Sequence, residues 1–441
     1  MIKLFIIKEI RQNITNKTIW MLGGVIAIAT IVCMLMQIAL FNNNSKAFDE
    51  YWIQRQKFVE LNTEDIGSIT QNMAIMPPAK LGMFFSGLKQ FIVINAIDQN
   101  SIEYLFKTID FRVLIGILFS LFAIILAFHT ISGEREDGML KLIDSYPVKR
   151  GKIILGKWLG IMAIVGALYS ICYIIIILLI TIFANVQISG VDIASLFLIY
   201  FIGLLYISGM VLLGMYISVK TKFSHLSLLI ALLVWALTVI VLPCLPDYAS
   251  HLFIKSPSPL SVLRYEDEIH KNQSKAIEKI KDRYRAEQIP ENQIDSIAKN
   301  EIETTIANFR EQNRHFTNNF FESLTYRTVV STGLSFFSPY ACYTLSVNEI
   351  AATGVAANIF LLQQRDVYYS TVTQYLKEKN ERLEADPNYK PSYSDMPRFQ
   401  FNPPSLTGRF LAASVPLALL IIFNFFFFVF TFKSFLKYDV R

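Results

Sequence analysis

The chain has 441 residues, 53% of them hydrophobic and only 17% charged, with a mean hydropathy of +0.41. A soluble protein of this size carries nearer a quarter charged residues, so a wholly water-exposed globular fold is excluded and the surplus apolar content belongs in a bilayer. The net charge of +6 is no nucleic-acid signal, because the basic residues cluster beside the apolar runs, where they orient a membrane protein.

In residues 1–19, Ile7, Ile10 and Ile14 recur at helical spacing while Lys3, Lys8, Arg11 and Lys17 supply positive charge. That pattern predicts an elbow helix lying in the membrane surface, with an ordinary basic flank as the alternative. Apolar runs of about twenty residues cross the hydrocarbon layer as helices, and six are read: 20–41, 113–131, 158–184, 194–219, 226–243 and 410–432. The first is too long for a signal-peptide core and lacks a small-residue cleavage site, so an uncleaved helix is expected.

Lys and Arg in the short segments set the orientation. The N-terminal flank, the 132–157 connection, Lys220, Lys222 and the tail 433–441 share one side, which the positive-inside rule makes cytoplasmic, with both termini inside. The other side receives a first loop over 42–112, a short link over 185–193 and a large insert over 244–409. In that insert RYEDEIHKNQSKAIEKIKDRYRAEQ reads as a charged amphipathic helix, and Pro290 opens a second pattern through Ile294, Ile302, Phe309, Phe320 and Leu324. A third helical stretch follows the break FSPY at 337–340, and a proline-rich strap, ADPNYKPSYSDMPRFQFNPPSLTGR, returns to the membrane. The expected fold is an all-α integral membrane protein with six transmembrane helices, a surface elbow helix and a mostly helical extracytoplasmic domain.

Of the four cysteines, Cys33 and Cys172 fall in apolar runs, while Cys244 and Cys342 are expected outside them. A Cys244–Cys342 disulfide is open in an oxidising compartment, with two unpaired thiols the simpler expectation. No G-x-x-x-x-G-K-[ST] loop or H-E-x-x-H pair is present, and His129, His225, His251, His270 and His315 lack ligand spacing, so neither a nucleotide cradle nor a metal site is expected. Met73, Met76 and Met83 read as packing residues rather than copper ligands. The apolar runs hold essentially no ionisable side chain, whereas ion-coupled carriers place such groups there. If this protein moves something uphill, the energy arrives from a partner.

The most informative stretch is HTISGEREDGMLKLIDSYPVKRGKIILGKWLG, from His129 to Gly160. Glu134, Arg135, Glu136 and Asp137 follow a span directly, Gly138 interrupts them, and Met139, Leu140 and Ile143 share a helical face. Ser145-Tyr146-Pro147 breaks that helix, and a basic segment climbs into the third span. Such a helix–break–helix bracket, rooted in two spans, can act as a lever; topogenic charge alone explains neither the acids nor the Tyr-Pro break.

The block from Gly133 to Lys157 closely resembles the G-E-R-E-x-G-T-L…S-x-P-x-x-R pattern of type 2 ATP-binding-cassette permeases, particularly those resembling the permease for maturation of a multicopper enzyme, with Met139 where Thr is usual. The resemblance implies a membrane subunit with no catalytic residue and no directly bound cofactor, docked on a separate cytoplasmic ATPase dimer that holds ATP and Mg. It implies that Glu134, Arg135 and Glu136 engage the ATPase, that Gly138, Tyr146 and Pro147 shape the bracket, and that Arg150 and Lys157 anchor its return. A second permease copy or paralogue, a periplasmic partner, membrane lipid and a multi-pass location in the cytoplasmic (inner) membrane complete the expectation, with no nucleic acid. Two other classes stay open: a mechanotransmission complex that moves nothing across the membrane, and a receptor or scaffold that needs no nucleotide.

Overall fold

The computed structural model describes residues 2–61, 78–85, 109–145, 148–184, 188–253, 259–385, 392–393 and 395–437. They form helices α1 (Ile2–Ile14), α2 (Lys17–Leu61), α3 (Phe111–Leu114, the π turn Ile115–Phe119 and Ser120–Ala127), α4 (Ser132–Glu136), α5 (Met139–Ser145), α6 (Arg150–Phe183) and α7 (Gly190–Lys220). There follow α8 (Ser224–Ala236, the π turn Leu237–Val241 and Leu242–Phe253), α9 (Pro259–Ala286), α10 (Glu291–Ile297), α11 (Lys299–Ser335), α12 (Pro339–Ile350), α13 (Val355–Ala385) and α14 (Leu406–Leu436). Two compact units result: Met1–Pro243 together with Phe336–Arg441, and Cys244–Ser335.

Local chemistry sets several of the starts. Asp110 caps α3 by accepting from the Val113 N–H at 3.0 Å, and Ser189 with Asp192 closes a reciprocal capping box on α7. The Ser338 and Ser405 hydroxyls cap α12 and α14 by accepting from the Ala341 and Gly408 N–H groups. Helix α7 is the axis of the larger unit, buried along most of its length against α14, α3 and α12. Its aromatic side chains stack with those of its neighbours: Tyr200 lies on Tyr169 at 5.3 Å and Tyr206 on Tyr343 at 4.7 Å between centroids. Between helices in lipid there is no hydrophobic driving force, so close packing and interhelical hydrogen bonds carry the association.

Seven helices among the described residues are long and apolar enough to cross a membrane. Six match the runs read from the sequence; the seventh, Pro339–Leu361, lies within the segment expected to stand wholly outside. Its first part, α12, packs on α7, α14 and both π turns. A π turn leaves a backbone carbonyl without its usual partner, and side chains fill the gap. The Ser338 hydroxyl donates to Thr238 O at 2.8 Å and the Tyr206 hydroxyl to Gly116 O at 2.9 Å. At the other end of α12, Asn348 accepts from Arg112 at 2.9 Å, and Arg409 reaches Ile350 O at 3.4 Å. The α12 helix therefore rises from beside the π turns to the end of the bundle where α3 and α14 begin. After Ala352, in the left-handed region at φ 57°, the chain restarts as α13, whose first N–H groups donate to the buried Glu349 carboxylate.

The insert expected as one domain over 244–409 is thus divided. Cys244–Ser335 holds α9 and α11, which pair as a hairpin with Tyr265 stacked on Phe316 at 3.8 Å and Arg283 ion-paired with Glu301. That pairing holds the exposed Glu301 carboxyl below its usual range. Residues from Phe336 onward belong with the spans. The first span is also longer than expected: α2 has 45 residues without a break, roughly 68 Å at 1.5 Å per residue. Beyond the apolar run its Trp52 joins a second core with Leu361, Tyr368, Val372 and Leu376 of α13 and with Tyr393, Met396 and Phe399 of the strap.

All four cysteines are free. Cys342 is fully buried on α12, its thiol directed to Phe336 O at 3.4 Å, and Cys244 is exposed, so the Cys244–Cys342 bridge is not formed. Of the three methionines, Met83 is buried beside Phe84 and Phe85 in the main core, while Met73 and Met76 lie outside the described residues.

Candidate functional site: the α4–α5 bracket

The short helix α4, sequence SGERE, sits between the ends of several spans. Two N–H groups at its start, those of Ile131 and Ser132, donate to the Ser218 hydroxyl on α7 at 3.1 and 3.0 Å. Successive residues of an α-helix point about 100° apart, so Glu134, Arg135 and Glu136 reach three different neighbours.

Glu134 turns inward and is only 7% exposed. Its carboxylate lies 2.8 Å from the Lys157 ammonium of α6 and also pairs with Lys8 of α1. Lys157, 1% exposed, donates as well to Glu9 of α1 at 2.8 Å and to Thr130 O at 2.9 Å, so all three of its N–H bonds are used. A charge this deep is tolerated only when paired and fully hydrogen-bonded, and here the pairing joins α1, α4 and α6.

Arg135 donates to Thr221 O at 2.6 Å and Val219 O at 3.3 Å, at the C-terminal end of α7. Glu136 accepts the Ser224 N–H at 3.1 Å and its hydroxyl at 2.5 Å, at the N-terminal end of α8. The signs suit the partners. Unpaired carbonyls at a helix C-terminus favour a cation, and unpaired N–H groups at an N-terminus favour an anion. Arg150 repeats the first arrangement, donating to Leu436 O at 2.9 Å where α14 ends.

The elbow α1 crosses α6 at Gly156 and Gly160, where a Cβ would come within 2.6 Å of the Cβ atoms of Phe5 and Glu9. Small residues four apart let two helix backbones meet this closely. The face α1 turns inward carries Glu9 and Asn13, while Leu4, Ile7 and Ile14 face outward. An interfacial helix beside a bundle has its polar residues paired with protein and its apolar residues directed to lipid.

Gly138 has φ +70°, a conformation glycine adopts at little cost, and turns the chain from α4 into α5. On the exposed rim of the turn lie Asp137, Met139 and Leu142, the last 54% exposed, whereas Leu140 is buried. Tyr146 and Pro147 lie outside the described residues.

The structure therefore gathers Glu134 and Lys157 into one cluster, places Arg135 and Glu136 against separate helix ends, and sets Arg150, at the start of α6, apart against the end of α14. From the sequence, Lys8 counted only as positive charge on the elbow, and Glu9, Thr221 and Ser224 had no place. The Gly156-x-x-x-Gly160 spacing in ILGKWLG and the lone acid in IIKEI were the available signals.

The family model for ABC-2 family transporter proteins matches residues 5–440. The chain is also 49% identical over 43 residues to the probable ABC transporter permease protein NosY of Pseudomonas aeruginosa, a match spanning 10% of this chain and 16% of that protein. A multi-pass helical membrane protein that matches the family model along nearly its whole length, this chain belongs to the ABC-2 family of transporter proteins.

Proposed function

We propose that this protein is the permease subunit of an ABC transporter, driven by a separate cytoplasmic ATPase and exporting a substrate across the cytoplasmic membrane. The observation that carries the reading is the wiring of the bracket. Through Glu134, Arg135, Glu136 and Arg150 it is bonded to α1, α6, α7, α8 and α14. A push on the exposed turn reaches all of them at once. ATP and Mg belong to the ATPase, and two permease copies, or this chain with a paralogue, complete the complex.

Within the bracket we assign the ATPase contact to the exposed Asp137, Met139 and Leu142, and the relay of its movement to Glu134, Arg135 and Glu136, which are bonded to neighbouring helices. The test is copurification of the ATPase with the Met139→Ser/Leu142→Ser variant and measurement of membrane-stimulated ATP hydrolysis. Retention of both at wild-type level overturns the docking surface.

A second reading, force transmission to an outside partner, draws support from α2. Its 45 residues continue without a break from the membrane into the core around Trp52, so displacement of the first span is carried to the distal end.

A further inference from the structure

Where α7 ends and α8 begins, a cleft of about 460 Å³ opens at the bracket end of the bundle. Its walls are apolar: Tyr216 and Ile217 on one side, Phe223, Leu226, Ile230 and Val234 on the other. Leu226, Ile230 and Val234 are spaced four apart, so one face of α8 presents an apolar strip roughly 12 Å long, close to the depth of one leaflet of an approximately 30 Å hydrocarbon layer. At the mouth stand Lys220 and Lys222, both exposed.

Neither lysine has an ion-pair partner among the described residues, and the Lys220 ammonium rests 6.0 Å from the Tyr216 ring centroid. The bracket carboxylate of Glu136 is taken by Ser224. Two uncompensated cations above an apolar slot at the level of the membrane boundary match one chemistry, a phosphate headgroup with acyl chains beneath it. Basic pockets between membrane helices hold anionic headgroups in this way, and each lysine near an anionic surface adds attraction that a zwitterionic headgroup does not supply.

We propose that the cleft between α7 and α8 is a binding site for an anionic phospholipid, with Lys220 and Lys222 on the phosphate and Leu226, Ile230 and Val234 along the acyl chains. A soluble anion is disfavoured by the apolar walls, and an uncharged lipid leaves both ammonium groups unanswered. The occupant would sit against residues 221–224, the connection gripped by Arg135 and Glu136.

The experiment is native mass spectrometry of the full-length protein in detergent with equimolar palmitoyl-oleoyl phosphatidylglycerol and phosphatidylethanolamine. The wild type is expected to retain phosphatidylglycerol about thirtyfold over phosphatidylethanolamine, using roughly 1 kcal/mol for each of the two lysines as the guide. Lys220→Gln/Lys222→Gln is expected to abolish the preference and Lys220→Arg/Lys222→Arg to keep it. Ile230→Trp, which fills the slot and leaves both lysines in place, is expected to lower retention of phosphatidylglycerol severalfold with an unchanged gel-filtration profile. Equal retention of the two lipids by the wild type, or an undiminished preference in the Gln variant, overturns the proposal. So does dimer dissociation on Ile230→Trp with lipid retention unchanged, because the cleft is then covered by a second copy of the chain.

Discussion

Lys157 and Glu134 meet 2.8 Å apart, one from the start of a membrane span and the other from the helix that precedes the bracket turn. Both are almost wholly excluded from solvent. Breaking a buried pair from one side strands the other charge and costs about 3–5 kcal/mol. Lys157→Met should therefore lower the melting temperature of the detergent-solubilised protein sharply and release α1, read as faster amide exchange over 2–14. Glu9→Gln/Glu134→Gln/Lys157→Met, which removes the stranded acids as well, should recover most of the loss. A single variant that melts like wild type would show the cluster to be unimportant for stability.

Relay and docking separate at Glu136 and Met139. Glu136→Ala removes the carboxylate that accepts from Ser224 at the start of α8, while the exposed turn keeps its shape. The ATPase should still copurify, but its stimulation by the permease should fall severalfold, with amide exchange quickening at residues 224–227. Met139→Ser/Leu142→Ser should do the reverse and lose the ATPase itself. Loss of copurification in Glu136→Ala would place that carboxylate in the docking contact.

Gly138→Ala tests the turn. A left-handed conformation costs a residue with a Cβ about 1–2 kcal/mol, and open space surrounds this position, so no clash adds to the strain. Global stability should drop by that amount or less, with activity reduced more than expression. Gly138→Asn, a residue that tolerates the left-handed region, should lie between the two in an ATPase stimulation assay.

Ala47→Pro distinguishes force transmission from export. Proline in a helix interior costs about 3 kcal/mol and kinks it, here between the apolar run of α2 and Trp52. If the long helix transmits force outward, ATPase stimulation should persist while the activity of the assembled complex disappears. Unchanged activity in whole cells would exclude the α2 rod as a transmission element.

The spans were legible because twenty uninterrupted apolar residues have few other uses. Helix α12 escaped the same reading because Thr344, Ser346, Asn348 and Glu349 dilute its apolar character. In the fold, Ser346 bonds back to Cys342 O, Asn348 meets Arg112, and Glu349 caps α13, so these three polar side chains are satisfied inside the bundle. Proline-rich 385–409 was legible as a strap, but not the core it closes over Trp52, since burial of Tyr393, Met396 and Phe399 depends on α13.

At the bracket, the sequence located the charges and left their direction open. Helical periodicity tells which way Glu134, Arg135 and Glu136 diverge, but it does not tell what stands in each direction. Lys8 and Glu134 are separated by 126 positions, and no local pattern links them. Arg135 and Glu136 had a finer clue: their signs match the termini of the helices they meet, a regularity visible once the spans on either side of Thr221 and Ser224 are drawn.

The latch between Glu9 and Lys157 also orders the protein's biogenesis. The two residues are 148 positions apart, so at about 5–20 residues per second the ribosome needs about 7–30 s to supply the lysine after the glutamate. Throughout that interval the elbow has neither its counter-charge nor the Gly156–Gly160 seat it rides on. The nascent elbow must wait at the membrane surface with Glu9 hydrated, and it docks only when the third span is delivered.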